Sequence, residues 1–103
     1  MATTKEDQVV VAVPFDQAYQ RVVTLLQGMK WTITTADPQA GVVTATTGVS
    51  LASWGETVTV RLAPAEGGGT TAYITSAARL KTNITAGGRN RKNVEAVASQ
   101  LRI

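Results

Sequence analysis

The sequence predicts an α+β two-layer domain: a strand and a helix, then an antiparallel meander of four strands and a closing helix, with both helices on one face of the sheet. Three observations predict it. Residues 15–29 carry apolar side chains at helical spacing, residues 31–80 hold β-branched runs separated by short turns, and helical spacing returns between Asn93 and Leu101. Each helix has one apolar stripe to bury, and a sheet whose strands alternate apolar and polar residues offers one face that can bury both.

"QVVVAV", residues 8–13, is a β-branched run stopped by Pro14, which holds the residue before it extended, so it reads as the first strand. "FDQAYQRVVTLLQGM" then places Phe15, Ala18, Tyr19, Val22, Val23, Leu25, Leu26 and Met29 on a helical stripe, with Asp16 at the positive end of the dipole. Gly28, by tolerating left-handed backbone, and Lys30 mark its end. "KWTITTA" alternates Trp31, Ile33 and Thr35 against Thr32 and Thr34, "DPQAG" is a turn, and "VVTATT" resumes the strand pattern, so residues 31–47 read as a hairpin. "GVSLASWGE" breaks the alternation and reads as a bulged edge or a loop. "TVTVRLAP" sets Val58, Val60 and Leu62 on one face, "AEGGG" turns the chain, and "TTAYITSAARL" is the last strand. From Asn93, the residues Val94, Val97, Ala98 and Leu101 form a second amphipathic helix, short enough that it must dock on the sheet to be stable.

A chain of 103 residues, 44% hydrophobic and 17% charged, suits a single globular domain spanning 1–103. It contains no cysteine and no histidine, which removes disulfides, thiolate nucleophiles, the usual general base and the commonest metal ligands. Ser50, Ser53 and Ser76 therefore have no histidine to activate them, and Glu56 and Asp37 stand in ordinary strand-start and turn contexts. The expectation is a non-enzymatic protein without metal or cofactor. No apolar run approaches the ~20 residues that span a bilayer, and "MATTKEDQ" is too polar to open a signal peptide, so a soluble, cytoplasmic protein is expected.

The net charge of +3 is unevenly spread. Arg79, Lys81, Arg89, Arg91 and Lys92 follow one another with no acid between them and outnumber the net charge, which leaves the rest of the chain net acidic. Three of these bases stand where the second helix should begin, the end at which the peptide dipoles already concentrate positive charge. One answer is an anion: N–H groups freed by Gly87 and Gly88, ringed by Arg89, Arg91 and Lys92, would receive a phosphate or carboxylate, with Asn90 capping the helix through the N–H of Lys92 or Asn93. Gly87, Gly88, Arg89, Asn90, Arg91 and Lys92 are thus the candidate anion-binding turn. The plainer alternative is a solvated basic face partly balanced by Glu95, and the spacing is not that of a P-loop. Arg79, a planar five-donor group, its neighbour Lys81 and Trp54 in the irregular stretch are candidate contact residues, with Trp54 otherwise a lid on the core.

The segments "VPFDQAYQRVVTLLQGMKWTITTADPQAGVVTATT", "TVTVRL", "TSAAR" and "GRNRKNV" resemble a group of small bacterial domains of unknown function. Trp31, Asp37, Gly41, Ser76, Arg79, Gly88 and Asn90 occupy matching positions, whereas an acidic residue of that pattern is replaced here by Ala86 or Gly87. The resemblance implies the fold and names no activity. The order of elements is also similar to helix-grip domains, which hold apolar ligands between sheet and helix.

The leading functional expectation is a binding or assembly domain that contacts a protein partner. The alternative is a small ligand, either apolar and held between the first helix and the sheet or anionic and held at the basic 87–92 turn. Ala12, Ala18, Ala45, Ala72 and Ala77 either leave room for such a ligand or permit close packing, and a cavity of several hundred cubic ångströms would decide. Nucleic acid, bound through the basic 79–92 segment, is the third class, set behind the others because aromatic residues make up only 5% of the chain and do not interleave with the bases.

Overall fold

The computed structural model describes residues 4–47, 56–78 and 86–101. Its elements run β1 (Thr4–Val11), α1 (Phe15–Gly28), β2 (Thr32–Asp37), β3 (Val42–Thr46), β4 (Glu56–Pro64), a single 3-10 turn at Glu66–Gly68, β5 (Thr70–Ala78) and α2 (Ala86–Leu101). The strands form one five-stranded antiparallel sheet in the order β1-β5-β4-β3-β2: a meander with the first strand added beside the last. Both helices pack on one face, so the α+β two-layer arrangement holds, with α2 over β1 and β5 and α1 over β2, β3 and β4.

Strand alternation decides what each face carries. Toward the helices point Val9 and Val11, Val43 and Ala45, Val58, Val60 and Leu62, and Ala72 and Ile74, which join Ala18, Tyr19, Val22 and Leu26 of α1 and Val94, Val97, Ala98 and Leu101 of α2 in one core cluster. The register puts Val43 beside Val60 and Val60 beside Ile74, so the apolar residues form continuous rows across the strands. Toward the other face point Val42, Thr44, Thr46, Thr57, Thr59, Arg61, Tyr73 and Thr75, half-buried or exposed, which is how an antiparallel sheet with one solvated side reads. The spacing of Ala18, Val22 and Leu26 matches the core face the sequence implies, and these small and branched side chains fill the space beneath α1. Ala18, Ala45 and Ala72 have no exposed surface and let the layers approach closely.

Several boundaries differ from the sequence reading. Strand β1 starts at Thr4, because an edge strand is held by backbone hydrogen bonds to β5 and needs no apolar residue to begin. At the end of α1 the residue with positive φ is Lys30, at +62°, not Gly28. Met29 caps this helix through backbone bonds to Leu25 and Leu26. Strand β2 carries a register shift between Ile33 and Thr35, which breaks the simple alternation read there and leaves it a mostly exposed edge. Trp31 is half-buried at the border of the core. The hairpin turn is as expected, with Asp37 Oδ1 accepting from the N–H groups of Gln39 and Ala40 at 3.0 and 3.1 Å. Gly41 follows at φ +70°, directly under the Phe15 ring.

The largest correction concerns α2, which begins at Ala86 and not near Asn93. Apolar periodicity marks only the stretch of a helix that is buried, from Val94 onward, and cannot show a first turn and a half that lacks apolar residues. Asn90 therefore lies within the helix and is not its N-cap. Gly87 and Gly88 belong to the first turn, where their cost as poor helix formers, ~1 kcal/mol each, is offset by docking of the rest of the helix.

Candidate functional site

Continuing the inward phase of β4 one step before Val58 reaches Glu56, a carboxylate only 2% exposed on the helix-facing side of the sheet. Burying a carboxylate is costly unless donors reach it, and here Thr47 and Asn93 of α2 supply them. Thr47, just after β3, pairs with it through the backbone (Thr47 N–H to Glu56 O, 2.9 Å). The Thr47 hydroxyl also accepts from the Glu56 N–H at 2.8 Å and donates to Glu56 Oε1 at 3.2 Å. From α2, the Asn93 amide donates to Glu56 Oε1 and to Ser76 Oγ, each at 3.2 Å. Ser76, fully buried, comes from β5 in the same inward phase as Ile74. Glu56, Ser76 and Thr47 leave no buried side-chain oxygen without a partner among the described residues. The cluster thus ties the second turn of α2 to the ends of β4 and β5, and it is the polar end of an otherwise apolar layer.

A second feature lies between the helices. Gln20, Arg21, Thr24 and Leu25 of α1 face Gln100 and Leu101 of α2 across an open groove of about 450 Å3. Leu25 and Leu101 line it with apolar surface, and the glutamines, the threonine and the half-buried Arg21 supply polar groups. This volume falls within the ~300–1,000 Å3 of small-molecule sites. This concavity lies between the two helices, and among the described residues core side chains pack between α1 and the sheet.

The residues singled out from sequence are only partly described. Arg91 and Lys92 are exposed on α2, in its second turn and so beyond the region where the dipole strongly disfavours cations. The backbone of Gly87, Gly88, Arg89 and Asn90 is helical. Arg79, Lys81 and Trp54 lie outside the described residues, as does the irregular 48–55 stretch as a whole. Of the family-like positions, Ser76 enters a polar network, accepting from the Asn93 amide. Sequence reasoning misses Glu56, Thr47 and Asn93 as a cluster. The available signal is phase: Glu56 and Ser76 each continue a run of inward-facing apolar residues, where an acid or hydroxyl must find partners.

No protein-family model matches the sequence, and no curated protein matches it either. Comparison with solved structures does find relatives in shape. The chain is similar to the crystal structure of the Zhui aromatase/cyclase from Streptomyces sp. R1128, with a TM-score of 0.61, 14% identity and coverage of 96% of this chain and 93% of that one. It is also similar to a protein from Thermus thermophilus, with a TM-score of 0.48, 19% identity and coverage of 96% and 92%. The fold is helix-grip-like. This corrects the leading functional expectation, a binding or assembly domain that contacts a protein partner: the solved structure matched in fold is that of an aromatase/cyclase. Among the described residues no group of histidine, cysteine, aspartate and glutamate side chains could hold a metal ion, and no helix is long and apolar enough to cross a membrane.

Proposed function

We propose that this protein binds a small, predominantly apolar molecule in the groove between α1 and α2. The observation that carries the proposal is the groove itself, about 450 Å3, with Leu25 and Leu101 as apolar lining and Gln20, Thr24 and Gln100 as convergent polar groups. A helix-grip-like fold, with two helices laid on one face of an antiparallel sheet, is the architecture that supports this reading. Contact with Leu25 and Leu101 would supply affinity through burial of apolar surface, and the amide groups would select the orientation of a polar substituent. Binding is favoured over catalysis because a chain without histidine or cysteine lacks the usual proton shuttle and thiol nucleophile. The bacterial domains of unknown function that the motifs resemble are the relatives we propose to share this role.

The neutral fluorescent probe N-phenyl-1-naphthylamine tests the reading. It should bind saturably to the wild-type chain, and Thr24→Trp, an exposed position whose enlarged side chain would occupy the groove, should weaken binding by at least tenfold while the thermal midpoint stays put. Leu25→Gln should also weaken it. Undiminished binding in both variants would refute the site.

A further inference from the structure

A different pair of side chains stands on the face of the sheet that, among the described residues, no helix covers. Arg61 of β4 and Tyr73 of β5 are direct cross-strand neighbours in the register, and both side chains are exposed, Tyr73 by 41%. They line a groove of about 270 Å3 whose remaining wall is Ala40, Leu62 and Ala63. That is roughly the share of nine liquid waters, room for a single-ring molecule. The small side chains of Ala40 and Ala63 keep the wall low around the larger pair.

Among the described residues, neither the Arg61 guanidinium nor the Tyr73 hydroxyl has a hydrogen-bond or ion-pair partner. The nearest acid along the same row is Asp37, which is separated from Arg61 by Val42 in the register. Its Oδ1 is already engaged by the N–H groups of Gln39 and Ala40. No carboxylate lines the groove among the described residues, so its charge is that of Arg61 alone.

We propose that this outer groove is a binding site for a small aromatic carboxylate, separate from the groove between the helices. The guanidinium presents two parallel N–H donors that match the two oxygens of a carboxylate. The Tyr73 ring offers a face or edge to an aromatic body, with the alanines shaping the rest. A ligand with both parts uses every feature of the groove, whereas a bare inorganic anion uses only Arg61 and a neutral ring only Tyr73.

The test is titration of the isotope-labelled full chain with benzoate at fixed ionic strength, read by backbone amide shifts. Benzyl alcohol and inorganic phosphate serve as the neutral and the ring-free comparison. Benzoate should shift the amides of Ala40, Arg61, Ala63 and Tyr73 saturably, and Arg61→Gln should weaken binding at least tenfold with an unchanged thermal midpoint. Tyr73→Thr, which keeps a strand-favouring residue at that position, should weaken it several-fold. The proposal is overturned if benzoate shifts amides only around Thr24, Leu25 and Leu101, or if Arg61→Gln binds benzoate normally. Equal affinity for benzyl alcohol or for phosphate also overturns it, since either result removes one half of the recognition. Because N-phenyl-1-naphthylamine carries no charge, failure at this site leaves the helix-groove measurement independent.

Discussion

Replacing Glu56 with alanine should cost the fold about 2–4 kcal/mol, a magnitude that follows from the groups left behind. The Thr47 hydroxyl loses its acceptor in a buried position, and an orphaned buried donor costs ~1–3 kcal/mol. The Asn93 amide loses one of two acceptors but keeps Ser76 Oγ and is only half-buried, so the loss there is nearer the ~0.5–1.5 kcal/mol of one net hydrogen bond. Against these stands relief from burying a carboxylate, which trims the sum. The backbone pairing of Thr47 with residue 56 survives the substitution, so the strand ladder should persist. Urea unfolding of Glu56→Ala, Asn93→Ala and the double variant measures both the cost and the coupling. Residues in one network should couple by ~0.5–3 kcal/mol. Glu56→Gln, which keeps an acceptor oxygen, should recover part of the loss. A change below ~0.5 kcal/mol in Glu56→Ala, or additivity of the two single variants, would refute the idea that this cluster fastens α2 to the sheet.

Two further perturbations test the packing. Leu26→Ala removes a fully buried side chain from the core-facing stripe of α1 and should destabilise by ~2–5 kcal/mol, seen as a lower urea midpoint without a change in slope; an effect under ~0.5 kcal/mol would move that face of α1 out of the core. Gly41→Ala should destabilise by more than ~1 kcal/mol, because the residue holds φ +70° and its new Cβ would meet the Phe15 ring at 2.6 Å and the Leu62 carbonyl oxygen at 3.0 Å; a neutral thermal shift would mean that the Phe15 ring yields freely.

The number, type and order of the elements are legible in the residues alone, because period and turn chemistry are local. Phe15 to Leu26 could bury one stripe only as a helix, and "VVTAT" and "TVTVRL" could bury one face only as strands. So is the chemistry that is missing, since a chain without histidine or cysteine carries that limit into any fold. Where α2 begins emerges from the packed molecule, because Ala86 to Asn90 carry no apolar pattern and become helical as an extension of a docked segment. So does the place of β1 beside β5, a pairing between distant parts of the chain that no local signal encodes. The candidate sites belong to the same class of decision. Glu56, Ser76 and Asn93 stand far apart in sequence, each unremarkable where it occurs, and the groove between α1 and α2 takes its lining from two separate helices. Such features depend on side chains brought together across elements, and the periodicity of one segment carries no record of what will face it.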